Sequence, residues 1–227
     1  MVDDRARESV VSEVLLELQF LPCLEYFACI LQHNTLRLEA CENLPRRSPR
    51  NRCRVLTANK VDTLTVPLLE SRRALPIRDV KIDYGQAWGR RHWGCLQSAY
   101  AKSPYFEYYA ADFQAVYQRT PAFLFDFNVE LLTLCLRFLG IKKEITYTLS
   151  YQTDVENSVF DARSSINPPK SEENKLFYQS ISYYQTFGNG FVSNLSIIDL
   201  LFNAGPETLL ILRQSAILPE KARMNKA

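Results

Sequence analysis

Five arginines lie within nine positions of an otherwise nearly neutral chain: Arg46, Arg47, Arg50, Arg52 and Arg54. A guanidinium keeps its positive charge at any physiological pH, and its planar fork of N–H donors matches a phosphate or a carboxylate. If the backbone is extended from residue 50, strand alternation places Arg50, Arg52 and Arg54 on one face. Together with the hydroxyl of Ser48 and the amide of Asn51, which lie between the arginines, this pattern indicates a local anion-binding site. The alternative is a solvated edge strand whose charges prevent edge pairing.

Two further stretches have side chains that could take part in chemistry. His92, in "WGRRHW" (88–93), could act as a general acid or base, because the ordinary pKa of histidine is near neutrality. The alternative is a structural histidine packed between two tryptophans. The aromatic cluster "SPYFEYY" (103–109), which contains Tyr105, is typical of core packing, and it could also form a stacking wall for a base or sugar ring.

The net charge limits the class of partner. Lys and Arg number 27 against 25 Asp and Glu, so the formal charge is +2. A domain that binds nucleic acid usually has a strong basic excess, so we expect no nucleic-acid partner and a site that is positive only locally.

The cysteines and histidines do not form a metal-binding pattern. Six cysteines are scattered without a C-x-x-C pair, and the chain has only two histidines. We therefore expect free thiols in a reducing compartment, no metal and no cofactor. Walker, dinucleotide-binding and hydrolase nucleophile signatures are also missing from the sequence.

Hydropathy indicates a cytoplasmic protein without an integral membrane segment. The longest apolar stretch, residues 14–31, is interrupted by Pro22 and by two glutamates. The first residues lack the charged start and the cleavage site of a signal peptide. No other run approaches the length that a membrane span requires.

The order of periodic segments predicts an α/β fold. A strand (12–20), a helix (21–32) and a strand (35–43) form a βαβ unit, whose ligands bind at the carboxyl ends of the strands. A β-hairpin then turns at 58–60, and another strand is expected at 77–84. The rest is mostly helical, with one helix in each of 86–103, 105–119 and 121–141 and two helices in 194–214, separated at Gly205-Pro206. A strand is expected at 144–151 and a mobile loop at 152–176. We predict one domain over residues 1–227.

In order along nearly the whole chain, several short stretches resemble the WbqC-like family. They are "FLPCLEYFA" (20–28), "EN" (42–43), "SPRNRC" (48–53), "LTVP" (64–67), "VKIDY" (80–84), "WGRRHW" (88–93), "AYAKSPYFEYY" (99–109) and "GFVSNLSIIDLLFNAGP" (190–206). The resemblance implies a bacterial protein linked to O-antigen and other surface-polysaccharide gene clusters, for which a transferase role has been suggested. The chain departs from the family pattern at Phe20, at Leu44-Pro45-Arg46 and at Asn59-Lys60, where the family usually has Tyr, Tyr-Gln-Lys and Asn-Gly.

The arginine pattern and the family resemblance together predict a transferase for surface-polysaccharide (O-antigen, lipopolysaccharide) synthesis. We expect its small ligand to be phosphorylated or carboxylated, such as a nucleotide-sugar, an aminoacyl donor or an acyl donor. The expected site roles are anion binding by Arg50 and Arg52, orientation by Asn43 and Asn51, proton transfer by Glu42 or His92, and ligand packing by Tyr100 or Tyr105. The alternatives are a non-catalytic accessory module that binds a precursor or another polysaccharide-biosynthesis enzyme, and a structural helper whose arginines pair only with internal carboxylates.

Overall fold

The centre of the fold is a βαβ unit, as the hydrophobic pattern predicts. In the computed structural model, which describes residues 13–45, 48–69, 75–167, 176–188 and 190–217, strand β1 (Glu13–Glu17) leads through helix α1 (Leu24–Leu31) into strand β2 (Thr35–Glu39). The strands are parallel, with Glu17 beside Glu39 at their carboxyl ends. β1 is a nearly continuous buried run because a parallel strand is covered on both faces.

The arginine segment leads into the predicted hairpin. Strands β3 (Arg52–Leu56) and β4 (Val61–Thr65) form a separate antiparallel pair with Arg54 opposite Thr63. The strand begins at Arg52, because residues 49–50 form a turn. The expectation that Arg50 shares one strand face with Arg52 and Arg54 is therefore wrong.

Two later strands complete a four-stranded parallel sheet. β5 (Glu144–Tyr147) pairs with β2, and β6 (Val159–Asp161) pairs with β1, so the strand order is β5-β2-β1-β6. β6 lies inside the segment expected to be a loop, so that expectation is wrong for these three residues, which are too few to show a strand period. Part of the expected loop, 168–175, lies outside the described residues.

The segment 77–84 is not the expected strand. Ile77–Asp79 form a 3-10 helix, and Lys81 and Ile82 make only isolated bridges. Ile77 and Val80 are buried three residues apart, which is one 3-10 turn, and the two-residue burial spacing of a strand occurs only between Val80 and Ile82.

Five more helices pack around the sheet and the hairpin, and all were predicted by their apolar periodicity. Helix α3 contacts α2, α4 and α5, and α6 packs on α1, which is buried except at Leu31. None of the helices within the described residues combines the length and the apolar character needed to cross a membrane. The helices are α2 (Trp88–Tyr100), α3 (Phe106–Gln118), α4 (Leu124–Phe138), α5 (Ile197–Ala204) and α6 (Thr208–Ser215).

Candidate functional site

A cavity of about 190 Å³ lies at the carboxyl end of β1 and β6. The chain leaves β1 toward β2 and β5 and returns on the opposite side of β1 with β6. Such reversals in strand order are where open parallel sheets bind ligands. Gln19 after β1 and Asn167 after β6 both line the cavity, and Gln19 Nε2 donates to the carbonyl of Ile166 at 2.8 Å. We call this space the β1–β6 cavity.

The loops that lead into α1 and α5 hold one wall of the cavity in place. Leu24 N donates to Leu195 O at 3.1 Å, and Ile197 N donates to Pro22 O at 2.8 Å. Leu21 and Asn194, one in each loop, have positive φ angles of 41° and 52°, which residues other than glycine rarely adopt. Strained backbone of this kind is concentrated at functional sites, where the surrounding structure enforces it.

Arg52 and Arg54 extend from β3 into the lining of the cavity. Within the ranges that the structure describes, neither guanidinium has an ion-pair partner, and the buried Nε of Arg52 has no hydrogen-bond partner. Burial lowers the pKa of Arg54 from its ordinary value, because the charged form loses hydration. Two half-buried guanidiniums, neither with an ion-pair partner among the described residues, therefore lie beside one cavity.

The other polar groups of the lining also suit an anionic ligand. They are hydroxyls and amides of Ser48, Asn194 and Ser196, besides Gln19 and Asn167, and none of the described lining residues is acidic. Of these polar groups, Asn194 and Ser196 also bond the loops: Asn194 Oδ1 accepts from Glu25 N, and Ser196 Oγ donates to Leu21 O. The arrangement can hold a carboxylate or phosphoryl group, whose negative charge offsets that of the two arginines.

Arg50, which was expected to bind the ligand, does not line the cavity. Its Nε and Nη2 donate to both carboxylate oxygens of Glu42, at 3.0 and 2.8 Å, and Nη1 lies 3.6 Å from Glu17 Oε1. Arg50 is 3% exposed and Glu42 is 7% exposed. Arg50 is therefore neutralised internally, and Glu42, which was expected to move a proton, is occupied by the same ion pair.

His92, the other expected proton carrier, is buried away from the cavity. Its Nε2 lies 3.1 Å from Thr65 O, and its ring packs between those of Phe20, Trp88 and Tyr117. Burial lowers the pKa of His92 to about 4, so the ring is neutral at pH 7. Because a carbonyl can only accept, the neutral ring carries its proton on Nε2.

The remaining expected ligand contacts also lie outside the cavity lining. Tyr100 Oη donates to Asp199 at 2.8 Å and accepts from Leu56 N, and the Tyr105 ring packs on Gly205. Asn51 Nδ2 donates to Val66 O, and Asn43 pairs with Pro76 in an isolated bridge. Among the expected site residues, Arg52 alone lines the β1–β6 cavity.

Arg54 belonged to the predicted arginine face but had no expected role in the site, and Gln19, Asn167 and Asn194 were not predicted at all. Arg54 had a usable signal, because it follows Arg52 at the strand period. Gln19, Asn167 and Asn194 are isolated polar residues from distant parts of the chain, and only the fold brings them together.

The Cys23 thiol in the cavity lining is not activated for nucleophilic catalysis. Burial raises the pKa of the Cys23 thiol in the lining to about 12, so it is not a thiolate at neutral pH. Within the described ranges, no three side chains of the His, Cys, Asp or Glu type are grouped to hold a metal ion.

Comparisons with known proteins agree with the sequence resemblance. The sequence profile of the WbqC-like protein family matches residues 19–169 and 158–211. The chain is 25% identical over 220 residues to the "Uncharacterized protein Rv1507c" of Mycobacterium tuberculosis, covering 85% of this chain and 94% of that protein. No solved structure matches the chain. Since the profile covers most of the sequence, including both loops that lead into α1 and α5, this chain belongs to the WbqC-like protein family.

Proposed function

We propose that this protein is a transferase of bacterial surface-polysaccharide (O-antigen) biosynthesis that holds the anionic group of an activated donor in the β1–β6 cavity. The observation that carries the proposal is the pair of guanidiniums, Arg52 and Arg54, which line one cavity without a carboxylate partner in the described chain. An uncompensated, half-buried cation is costly unless an anion binds to it. The polysaccharide context is what the resemblance to the WbqC-like family implies.

The size of the cavity restricts which part of the donor it holds. Pockets for complete small-molecule ligands usually measure about 300–1,000 Å³. At about 190 Å³, the β1–β6 cavity suits a carboxylate or phosphoryl group with a few adjoining atoms. We therefore assign the charged group of a nucleotide-sugar, aminoacyl or acyl donor to the cavity, with the remainder outside it.

The proposed transfer relies on positioning and charge stabilisation. Arg52 and Arg54 would hold the negative charge of the donor, and the amides of Asn167 and Asn194 would orient it. Both N–H donors of the Gln19 amide are already used, by Glu17 Oε1 and Ile166 O. Glu42 and His92 are held in other parts of the structure, so neither is assigned to the cavity.

A second candidate is a non-catalytic module that binds the same donor for a partner enzyme. One observation favours it: no described lining residue is an acid or a histidine, and the Cys23 thiol has its pKa raised to about 12. Such a cavity lacks an evident general base. Both candidates predict the same ligand and differ in turnover.

The test is a thermal-shift screen of the full chain against phosphate, pyrophosphate, nucleotide-sugars, aminoacyl donors and coenzyme A thioesters. We expect at least one anion to stabilise the protein, and Arg52→Ala and Arg54→Ala each to weaken its binding by about tenfold or more, since hydrogen bonds to charged groups contribute about 1.5–3 kcal/mol. Arg213→Ala, an exposed arginine on α6, is the matched control and should bind normally.

Product formation from a bound donor and a sugar acceptor would identify the transferase. Binding without turnover would identify the module. If no anion stabilises the protein, or if both cavity variants bind as the control does, the anion site is refuted.

A further inference from the structure

A second, larger opening of about 620 Å³ lies between α2 and α3. We call it the α2–α3 groove. It shares no lining residue with the β1–β6 cavity, although one stack of rings connects them: Phe20 lines the cavity, Trp88 lines the groove, and His92 contacts both rings, at 5.9 and 5.1 Å. The volume is in the range of pockets that enclose a complete small molecule.

Two glycines leave the α2 side of the groove open. A Cβ at Gly94 would have no atom within 4 Å, and one at Gly89 would be 3.9 Å from Tyr117 Cδ1. Packing therefore does not require glycine at either position, although each costs the helix about 1 kcal/mol relative to alanine. The two glycines therefore leave space in the groove that larger side chains would fill.

The polar groups of the groove are mainly neutral amides. Gln97 on α2 and Gln114 and Gln118 on α3 line it, and in the described part of the chain none of their three side-chain amides has a hydrogen-bond partner. An amide offers both a donor and an acceptor, as a hydroxyl does. Arg90 is the charged group of the lining, and no described lining residue is acidic. These groups favour a neutral ligand with several hydroxyls.

The apolar surface of the groove is aromatic. Tyr84 is 39% exposed and Trp93 is half-buried, whereas Trp88 lies deeper, at 3%. The indole Nε1 atoms of both tryptophans are buried without a partner among the described residues. Thr120, at the end of the groove, has a φ of 49°, which is a strained value for a β-branched residue. Aromatic faces pack well on the C–H face of a ring.

We propose that the α2–α3 groove is a binding site for a neutral, hydroxyl-rich ring, that is, a hexose-type sugar unit. The aromatic side chains would contact the C–H face of the sugar, and the glutamine amides would exchange hydrogen bonds with its hydroxyls. This inference stands on the groove alone and does not require the anion site.

The experiment uses the tryptophans, because the chain has only two, Trp88 and Trp93, and both line the groove. Intrinsic fluorescence of the full chain is titrated with glucose, galactose and N-acetylglucosamine, with adenosine as the comparison ligand. We expect a saturable change with at least one neutral sugar, and weaker binding of adenosine.

Variants separate the groove from the cavity. Gly94→Leu places a side chain in the groove and should weaken sugar binding at least tenfold, whereas Ser98→Leu, an exposed position on the same helix outside the groove lining, should not. Arg52→Ala should bind the sugar normally, so a failure of the anion site leaves this result unchanged.

Three outcomes would overturn the proposal: no saturable fluorescence change with any neutral sugar, tighter binding of adenosine than of the sugars, or equal binding by Gly94→Leu and Ser98→Leu. Circular dichroism of both variants confirms that they are folded before binding is compared.

Discussion

Arg50 and Glu42 form a two-pronged ion pair, with Nε to Oε1 at 3.0 Å and Nη2 to Oε2 at 2.8 Å. The pair connects the start of the hairpin to the segment after β2, and Glu17 at the end of β1 lies 3.6 Å from the same guanidinium. Burial raises the pKa of Glu17 from its ordinary value, against the opposing effect of Arg50. These three residues hold the carboxyl edge of the sheet against the hairpin.

We expect Glu42→Ala to lower the free energy of unfolding by about 3 kcal/mol, because it leaves much of a buried cation uncompensated. Urea unfolding of the two proteins measures the difference. Asp112→Ala, which removes the exposed partner of Arg137, is the control and should cost less than about 1 kcal/mol. Similar losses in the two variants would contradict the assigned role of the buried pair.

The stability of the protein should depend on His92 below neutral pH. Its pKa is about 4 in the folded chain and ordinarily 6.5, so the unfolded state takes up the proton first as the pH falls. The stabilisation is present above pH 6.5 and is lost toward pH 4, amounting to about 3 kcal/mol between pH 7 and 4.

We expect His92→Gln, which retains a donor toward Thr65 O, to show a correspondingly smaller loss over the same range. Urea unfolding of both proteins at pH 7 and pH 4 provides the comparison. Parallel pH profiles would show that His92 does not have this lowered pKa.

Two tyrosines donate to the buried carboxylate of Asp199, and their removal should differ in cost. Tyr100 Oη also accepts from Leu56 N, at 3.1 Å, whereas Tyr183 Oη donates to Asp199 Oδ2 at 2.6 Å and accepts only a longer bond from Gln185, at 3.3 Å. Gln185 keeps its bond to Asp199 when Tyr183 is replaced.

Tyr100→Phe should therefore cost about 2–3 kcal/mol, because a buried N–H loses its acceptor, and Tyr183→Phe about 1 kcal/mol. Denaturant unfolding ranks the two variants. The reverse ranking would be inconsistent with this hydrogen-bond network.

Replacement of Gly205 and of Gly94 by alanine should change the free energy of unfolding in opposite directions. Gly205 has a φ of 53°, and a Cβ there would lie 2.5 Å from atoms of the Tyr105 ring, so we expect Gly205→Ala to lower the free energy of unfolding by about 3 kcal/mol. Gly94→Ala has open space and should raise it by up to about 1 kcal/mol. Thermal and urea unfolding test both, and a Gly205→Ala protein as stable as the parent would contradict the close approach.

The arginine segment shows that local alternation is predictable from sequence, whereas ion pairs between distant residues are not. Alternation correctly indicates that Arg52 and Arg54 lie at the strand period, because that relation is local. It does not reveal that Arg50 precedes the strand and meets Glu42 and Glu17, because these carboxylates lie 8 and 33 positions away in the sequence. The anion-site hypothesis thus keeps Arg52, gains Arg54 and loses Arg50.

The secondary-structure expectations are correct for elements with a long local period and fail for short elements that depend on tertiary contacts. The βαβ unit, the hairpin and the long helices follow from apolar periodicity, since each repeats over several turns or alternations. β6 has three residues, and its strand character comes from its parallel pairing with β1. The expected strand at 77–84 is wrong because Ile77–Asp79 form a 3-10 turn and residues 81–82 make only isolated bridges.

The sequence alone determines the family and the α/β class of this protein, and the concentration of positive charge in the segment that follows the βαβ unit. Only the tertiary structure decides which of those charges remain uncompensated, and which glutamines and aromatic rings share a groove. The physical reason is that hydrogen bonding and burial depend on side chains brought together across long sequence separations, whereas periodicity records only the local path of the backbone.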